Sequence, residues 1–279
     1  MTAPVGLTLA DLGGLWRRTL LQHEGQDPDR TTQVFWLQGP HLFIDLRQPA
    51  DLPRFEGVHC LHDLTVDHLH AMARQEGFAG ALCLDAAVAE WRRQIDFQSA
   101  SGVPDRARLV LDGNVLIERG TEAPYLEEWS RETDPSASGW GARLLEMESG
   151  RSGFVVRVAD QLMVARDRAA RLLPGGSLAR LLEAAETLQA KRDLLDFEIS
   201  LGRIAPDGRW SIERSSLPFK QRRTWRVQYG VDAGVLAIDD VDPVGTPVTR
   251  RWQIVETDGP EGLGLAGASF CGTSGDAIR

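Results

Sequence analysis

A mainly β fold, built as an antiparallel barrel with one short and one longer helix, is what this sequence of 279 residues predicts. Three observations carry the prediction. Apolar and polar residues alternate with a period of two through many short segments, the spacing at which successive side chains fall on opposite faces of a strand. Turn residues such as Gly39-Pro40 and Asp112-Gly113 separate those segments at short intervals. Helical periodicity surfaces in only two places, so the regular strand and helix alternation of a parallel sheet is missing.

Taken in order, Gly13-Gly14 leads into a strand over Leu15–Leu21, and Gln22–Arg30 is a polar loop turned by Asp27-Pro28-Asp29. Thr32–Gln38 and His41–Gln48 form a hairpin. Leu42, Ile44 and Leu46 fall on one face of its second arm, with Phe43, Asp45 and Arg47 on the other. Thr65–Gln75 is a short helix with Val66, Leu69, Met72 and Ala73 on its apolar side. Phe78–Phe97 is two strands, or one bent strand, with a weak point near Asp85–Ala87. Its second half puts Trp91, Arg93, Ile95 and Phe97 on one face and Glu90, Arg92, Gln94, Asp96 and Gln98 on the other. Arg106–Leu111 and Asn114–Arg119 flank Asp112-Gly113, and Tyr125–Glu132 sets Tyr125, Glu127, Trp129 and Arg131 on a common face.

Strands over Arg143–Glu148 and Gly153–Arg166 precede the longer helix, Leu178 to about Leu195, with Ser177 as its N-cap. Further strands span Phe197–Ile204, Arg209–Ser215, Arg223–Tyr229, Val235–Ile238 and Thr249–Glu256. They either close the first barrel or form a second, smaller sheet. The predicted domain runs over residues 12–257 with a sub-boundary near 175–196, and the glycine-rich residues 258–279 form a flexible tail.

Composition narrows the function classes. Hydrophobic residues make up 42% and charged ones 25%, ordinary values for a globular protein. A net charge of −9 disfavours nucleic acid and anionic membranes as partners, since both need a basic footprint. The basic run Lys220–Arg223 reads as a solvated loop. Residues 1–11 lack a secretory pattern and no apolar run approaches a membrane span, which makes the cytoplasm the expected location. Cys60, Cys83 and Cys271 suggest neither a disulfide framework nor a thiolate metal site. No phosphate loop, nucleophile elbow or His-Glu-x-x-His motif is present, and Gly262–Gly267 matches a dinucleotide fingerprint without the strand and helix that would give it meaning. No organic cofactor is expected.

Across Leu15–Arg18, Thr31–Gln38, Asp45–Arg47, Glu90–Gln98, Leu116–Gly120 and Tyr125–Arg131, the chain resembles a widespread, largely uncharacterised family of fungal and bacterial proteins with a lipocalin-like β-barrel. The resemblance covers residues 15–131 and implies a barrel with an internal cavity, without an assigned chemistry. The family pattern has Trp-His-Arg where this chain has Trp91-Arg92-Arg93, so a role for that histidine does not carry over.

Three constellations are candidates for chemistry. His59–His70 holds four of the six histidines, and His62 or His70 could serve as an acid or base near neutrality. Its spacing fits no standard metal motif. Arg47, Arg93 and Arg131 offer guanidinium forks for an acidic ligand, unless Asp45, Asp96, Glu118 and Glu127 engage them in structural pairs. Trp36, Trp91 and Trp129, with Tyr125, offer apolar walls for a flat ligand. These residues predict an intracellular barrel that binds a small aromatic or acidic molecule. An alternative is a cofactor-independent lyase, isomerase or hydratase in which His62, His70, Asp96 or Glu90 abstracts a proton and Arg93 stabilises the anion. A third is a protein-interaction scaffold with a filled interior.

Overall fold

In a computed structural model, described for residues 6–170, 172, 175–229 and 234–259, the chain is mainly β and forms two closed antiparallel barrels of eight strands each. The first comprises β1 (Gly14–His23), β2 (Gln33–Gln38), β3 (Leu42–Gln48), β4 (Glu76–Asp85), β5 (Val88–Asp96), β6 (Arg106–Asp112), β7 (Val115–Gly120) and β8 (Tyr125–Arg131). The second comprises β9 (Gly139–Glu146), β10 (Ser152–Val158), β11 (Gln161–Arg166), β12 (Glu198–Ile204), β13 (Arg209–Ser215), β14 (Thr224–Tyr229), β15 (Val235–Val241) and β16 (Pro247–Asp258). Each barrel closes by pairing its first strand with its last, β1 with β8 and β9 with β16.

The later strands therefore neither complete the first barrel nor make a small sheet. They close a second barrel of equal strand number. The turn from one barrel to the other lies between β8 and β9, ahead of the segment 175–196, which joins β11 to β12. The expected tail from residue 260 onward, including the Gly262–Gly267 string, lies outside the described residues.

Among the described residues, four α-helices punctuate the strands: α1 (Leu9–Leu12), α2 (Val66–Met72), α3 (Leu178–Ala184) and α4 (Leu188–Leu195). The longer helix expected over 178–195 is two. Thr187 breaks it by capping a fresh start, its hydroxyl accepting the Ala190 amide at 3.1 Å. Thr65 caps α2 and Ser177 caps α3 in the same way. None of the described helices is long and apolar enough to cross a membrane.

Both barrels kink at matching places. A register shift interrupts the pair of first and last strands in each, and another interrupts the pair of fourth and fifth strands. Gly80 and Gly202 stand at the second of these, where an added Cβ would lie 2.0 Å from the carbonyl oxygen of Arg92 or Ser211. The bulge opposite Gly80 splits the face read from the sequence of β5. Trp91 and Arg93 point into the first barrel, whereas Ile95 and the following Phe97 join a core shared with the second.

That shared core packs Leu42, Ile44 and Leu46 of β3 and Ala79 and Ala81 of β4 against Phe154 and Val156 of β10, Met163 of β11 and Ile199 of β12. Arg168 clamps the junction. It is buried between Phe97 and Phe197 and donates to the carbonyls of Asp96 and Phe97 at 3.3 and 2.5 Å.

The barrels differ inside. The second is filled by apolar residues, including Trp140, Trp210, Trp225 and Trp252, and one end holds a buried ion network. There Lys220, only 1% exposed, meets Glu198 at 2.5 Å and Asp240 at 2.8 Å, and Arg250 joins Asp240 to Glu146. Lys220 is thus no solvated loop residue. Two carboxylates hold it in place, and its ammonium lies over the Trp225 ring at 4.9 Å. The first barrel is closed at one end by α1, with Leu12 buried and its carbonyl accepting the Trp16 indole at 2.7 Å. Its strands β5 and β6 pair only over Val88–Glu90 and Arg106–Arg108, against eight register pairs between β4 and β5.

Candidate functional site

The first barrel keeps a cavity of about 380 Å3 at the end away from α1, within the size range of small-ligand sites. Alternation along the strands delivers its lining. Trp36 comes from β2, Asp45 and Arg47 from β3, Phe78 from β4, Trp91 and Arg93 from β5, Glu118 from β7, and Tyr125, Glu127 and Trp129 from β8. Arg18 enters from β1, and Asp29 and Asp105 from the adjoining loops. The aromatic walls pack edge to face, with Trp36 centred 5.7 Å from both Trp91 and Trp129.

Charges inside the cavity are sorted into pairs. Arg18 binds Glu127 at 2.7 Å and Asp29 at 3.0 Å, and Arg47 binds Asp45 at 2.8 Å and approaches Glu127 at 3.6 Å. Arg93 lies over the Phe78 ring at 3.5 Å and reaches Asp105 at 2.6 Å and Asp96 at 3.1 Å. Burial raises the pKa of Asp45 against the pull of Arg47. Asp29, despite burial, is held low by hydrogen bonds from Thr32 and Thr31.

Glu118 differs from the rest. It is 4% exposed and accepts from neutral donors, the Tyr125 hydroxyl at 2.7 Å and the Trp129 indole at 3.1 Å. No Lys or Arg among the described residues forms an ion pair with it. Burial, and then the Glu127 carboxylate on the next strand, push its pKa well above the ordinary carboxylate range. The Tyr125 hydroxyl is pushed up in turn by burial and by Glu118.

Of the residues singled out from the sequence, Trp36, Arg47, Trp91, Arg93, Tyr125 and Trp129 line this cavity together. Arg131 does not. It closes the opposite end, stacked over Trp16 at 4.3 Å and donating to the carbonyls of Gly13 and Asp11. Asp96 sits at the rim, bound to Arg93, with its pKa raised by burial. Glu90 faces outward between Arg92 and Arg106, and those two hydrogen bonds lower its pKa despite partial burial.

His70 is exposed on α2, and neither it nor His62 lines the cavity. The histidine-rich segment serves as a strap instead. Arg192 of α4 donates to the carbonyls of His62 and Leu64, and the His62 amide donates to Pro243 at 3.0 Å. Among the described residues, no group of three His, Cys, Asp or Glu side chains is arranged to hold a metal ion.

Arg18, Phe78 and Asp105 were not singled out from the sequence as site residues. For Arg18 a signal exists: Trp16 and Arg18 alternate in β1 as Trp129 and Arg131 do in β8, and β1 pairs directly with β8. Asp105 carries no such sign, because a loop brings it back beside Arg93.

The chain matches no known family and no curated protein. Among solved structures, an uncharacterised protein of Saccharomyces cerevisiae, YLR301w, matches it with 11% identity and a TM-score of 0.48, covering 88% of this chain and 98% of that one.

Proposed function

We propose that the first barrel binds a small, flat organic molecule in its cavity and does not convert it. The observation that carries this reading is the contrast between two barrels of one chain. The second is filled by an apolar cluster with an ion network at one end, while the first keeps about 380 Å3 open in a lining that includes Trp36, Trp91 and Trp129. Interiors are normally close-packed, and a space of this size kept inside a barrel is the usual form of a ligand site, here lined by charged groups as well as aromatic ones. The cavity favours an aromatic ligand over an acidic one, because Arg18, Arg47 and Arg93 are each engaged by the barrel's own carboxylates. A lyase or isomerase in this cavity gains no support from His62, His70 or Glu90, which lie outside it.

Native mass spectrometry of the purified protein tests the reading, alongside tryptophan fluorescence against a panel of small metabolites. Retained mass or saturable quenching, with the added compound recovered unchanged, is expected. A protein that carries nothing and responds to no compound in the panel overturns it.

A further inference from the structure

The cavity's charge pattern specifies its ligand more closely. Six carboxylates line it (Asp29, Asp45, Glu76, Asp105, Glu118 and Glu127) against four arginines (Arg18, Arg47, Arg74 and Arg93). All four arginines are in ion pairs, Arg74 with Asp51 outside the cavity. An acidic ligand would have to break a pair to gain one. Glu118 stands in the opposite position. It is buried, its two bonds come from neutral groups, and it lies beside the aromatic walls through its contact with Trp129.

The ring faces repeat the pattern. Arg93 and Arg47 already cover Phe78, and Arg131 covers Trp16. Among the described residues no cation lies over Trp36, Trp91 or Trp129, although indole faces attract cations more strongly than other rings do. Glu118 thus lies beside a cluster of indoles, Trp36 stacked on Trp16 and edge to face with Trp91 and Trp129, in which only Trp16 carries a cation.

We infer, resting on the binding reading above, that the cavity takes an organic cation: an ammonium group set against Glu118, with a flat apolar body among Trp36, Trp91 and Trp129. A buried carboxylate without a cationic partner is costly, and a ligand ammonium supplies that partner. An acidic ligand finds no such partner, because the cavity's arginines are already paired, so the lining discriminates as well as attracts.

Three probes of matched shape test this by isothermal titration calorimetry at pH 7.5: 3-phenylpropylammonium, 3-phenylpropanol and 3-phenylpropanoate. The ammonium is expected to bind at least about tenfold more tightly than the alcohol, and the carboxylate more weakly still. Glu118→Gln should remove the preference for the ammonium over the alcohol. The probe series uses the unaltered protein, so it decides the matter even if the variant does not fold. Equal or tighter binding of the carboxylate overturns the cation and leaves a small-molecule barrel standing. Absence of binding by all three overturns the cation as well, while the retained-mass experiment judges the barrel reading separately.

Discussion

Glu118 and Glu127 are register partners on β7 and β8, two carboxylates side by side inside the first barrel. Arg18 neutralises Glu127 at 2.7 Å, while Glu118 has only Tyr125 and Trp129. Burial and the neighbouring Glu127 carboxylate push Glu118 towards its protonated form.

Glu118→Gln is expected to stabilise the free protein at pH 8. The folded pKa of Glu118 lies above its unfolded value, so the native state holds a proton that the unfolded chain releases. Stability accordingly falls as pH rises from the unfolded value through the folded one. Glutamine removes that loss and can still bond Trp129 and Tyr125. A gain of about 1–2 kcal/mol at pH 8, absent at pH 4, is the expected result in urea denaturation. A variant less stable than the parent at both pH values would contradict it.

His41, in the turn between β2 and β3, and Asp258, at the end of β16, tie the two barrels together. The ring Nδ1 lies 2.9 Å from Asp258, whose other oxygen accepts the amides of His41 and Leu42 at 2.7 Å. The hydrogen bond and charge of Asp258 raise the His41 pKa. The resulting stability is full below the unfolded value of 6.5 and is lost as pH rises through the folded one. Melting curves of His41→Asn and the parent should therefore differ most below pH 6 and converge towards pH 9. A gap that does not depend on pH would rule the pair out as its source.

Gly77 lets β4 lie against the second barrel. A Cβ there would fall 2.6 Å from Ile199 Cδ1 and 2.7 Å from the Asp45 carbonyl oxygen. Gly77→Ala should cost about 1–3 kcal/mol, the usual penalty for overpacking. Ile199→Val in the same chain should recover part of that, since it removes Cδ1 but leaves the carbonyl. Additive losses in the double-mutant cycle would show that the two positions do not meet.

Lys220→Met should be far more damaging than an exposed lysine substitution. It leaves Glu198 and Asp240 buried, with Arg250 as the remaining cation on Asp240 and Arg166 3.7 Å from Glu198, beside hydrogen bonds from the Val241 amide and the Ser200 hydroxyl. A loss of about 3–5 kcal/mol is expected from breaking a buried pair, measured by urea denaturation at pH 7. A loss under 1 kcal/mol would mean that the network does not depend on the lysine.

Much of the first barrel was legible because strand alternation is local. Phe43, Asp45 and Arg47, and Tyr125, Glu127 and Trp129, share inward faces at the spacing their sequence shows. The face of β5 was only half legible. Its parity changes at a bulge set by the backbone opposite Gly80, and an isolated glycine within a strand is the one local sign of that. Closure was not legible at all: the strands after α4 look alike whether they complete one barrel or build another, and only pairing over more than a hundred residues, as between β9 and β16, decides it. Lys220 was misread for a similar reason. A run of basic residues says nothing of the acids that distant strands bring to one of them.

The short seam between β5 and β6 sets a time scale. With three register pairs where its neighbour has eight, it is the place where the first barrel opens most readily and where amide hydrogen exchange should be fastest. Arg93 and Asp105 bridge the gap just beyond the last pair. On the proposed binding reading, the lining would set how tightly a ligand is held, and this latch at the barrel's edge how long it stays.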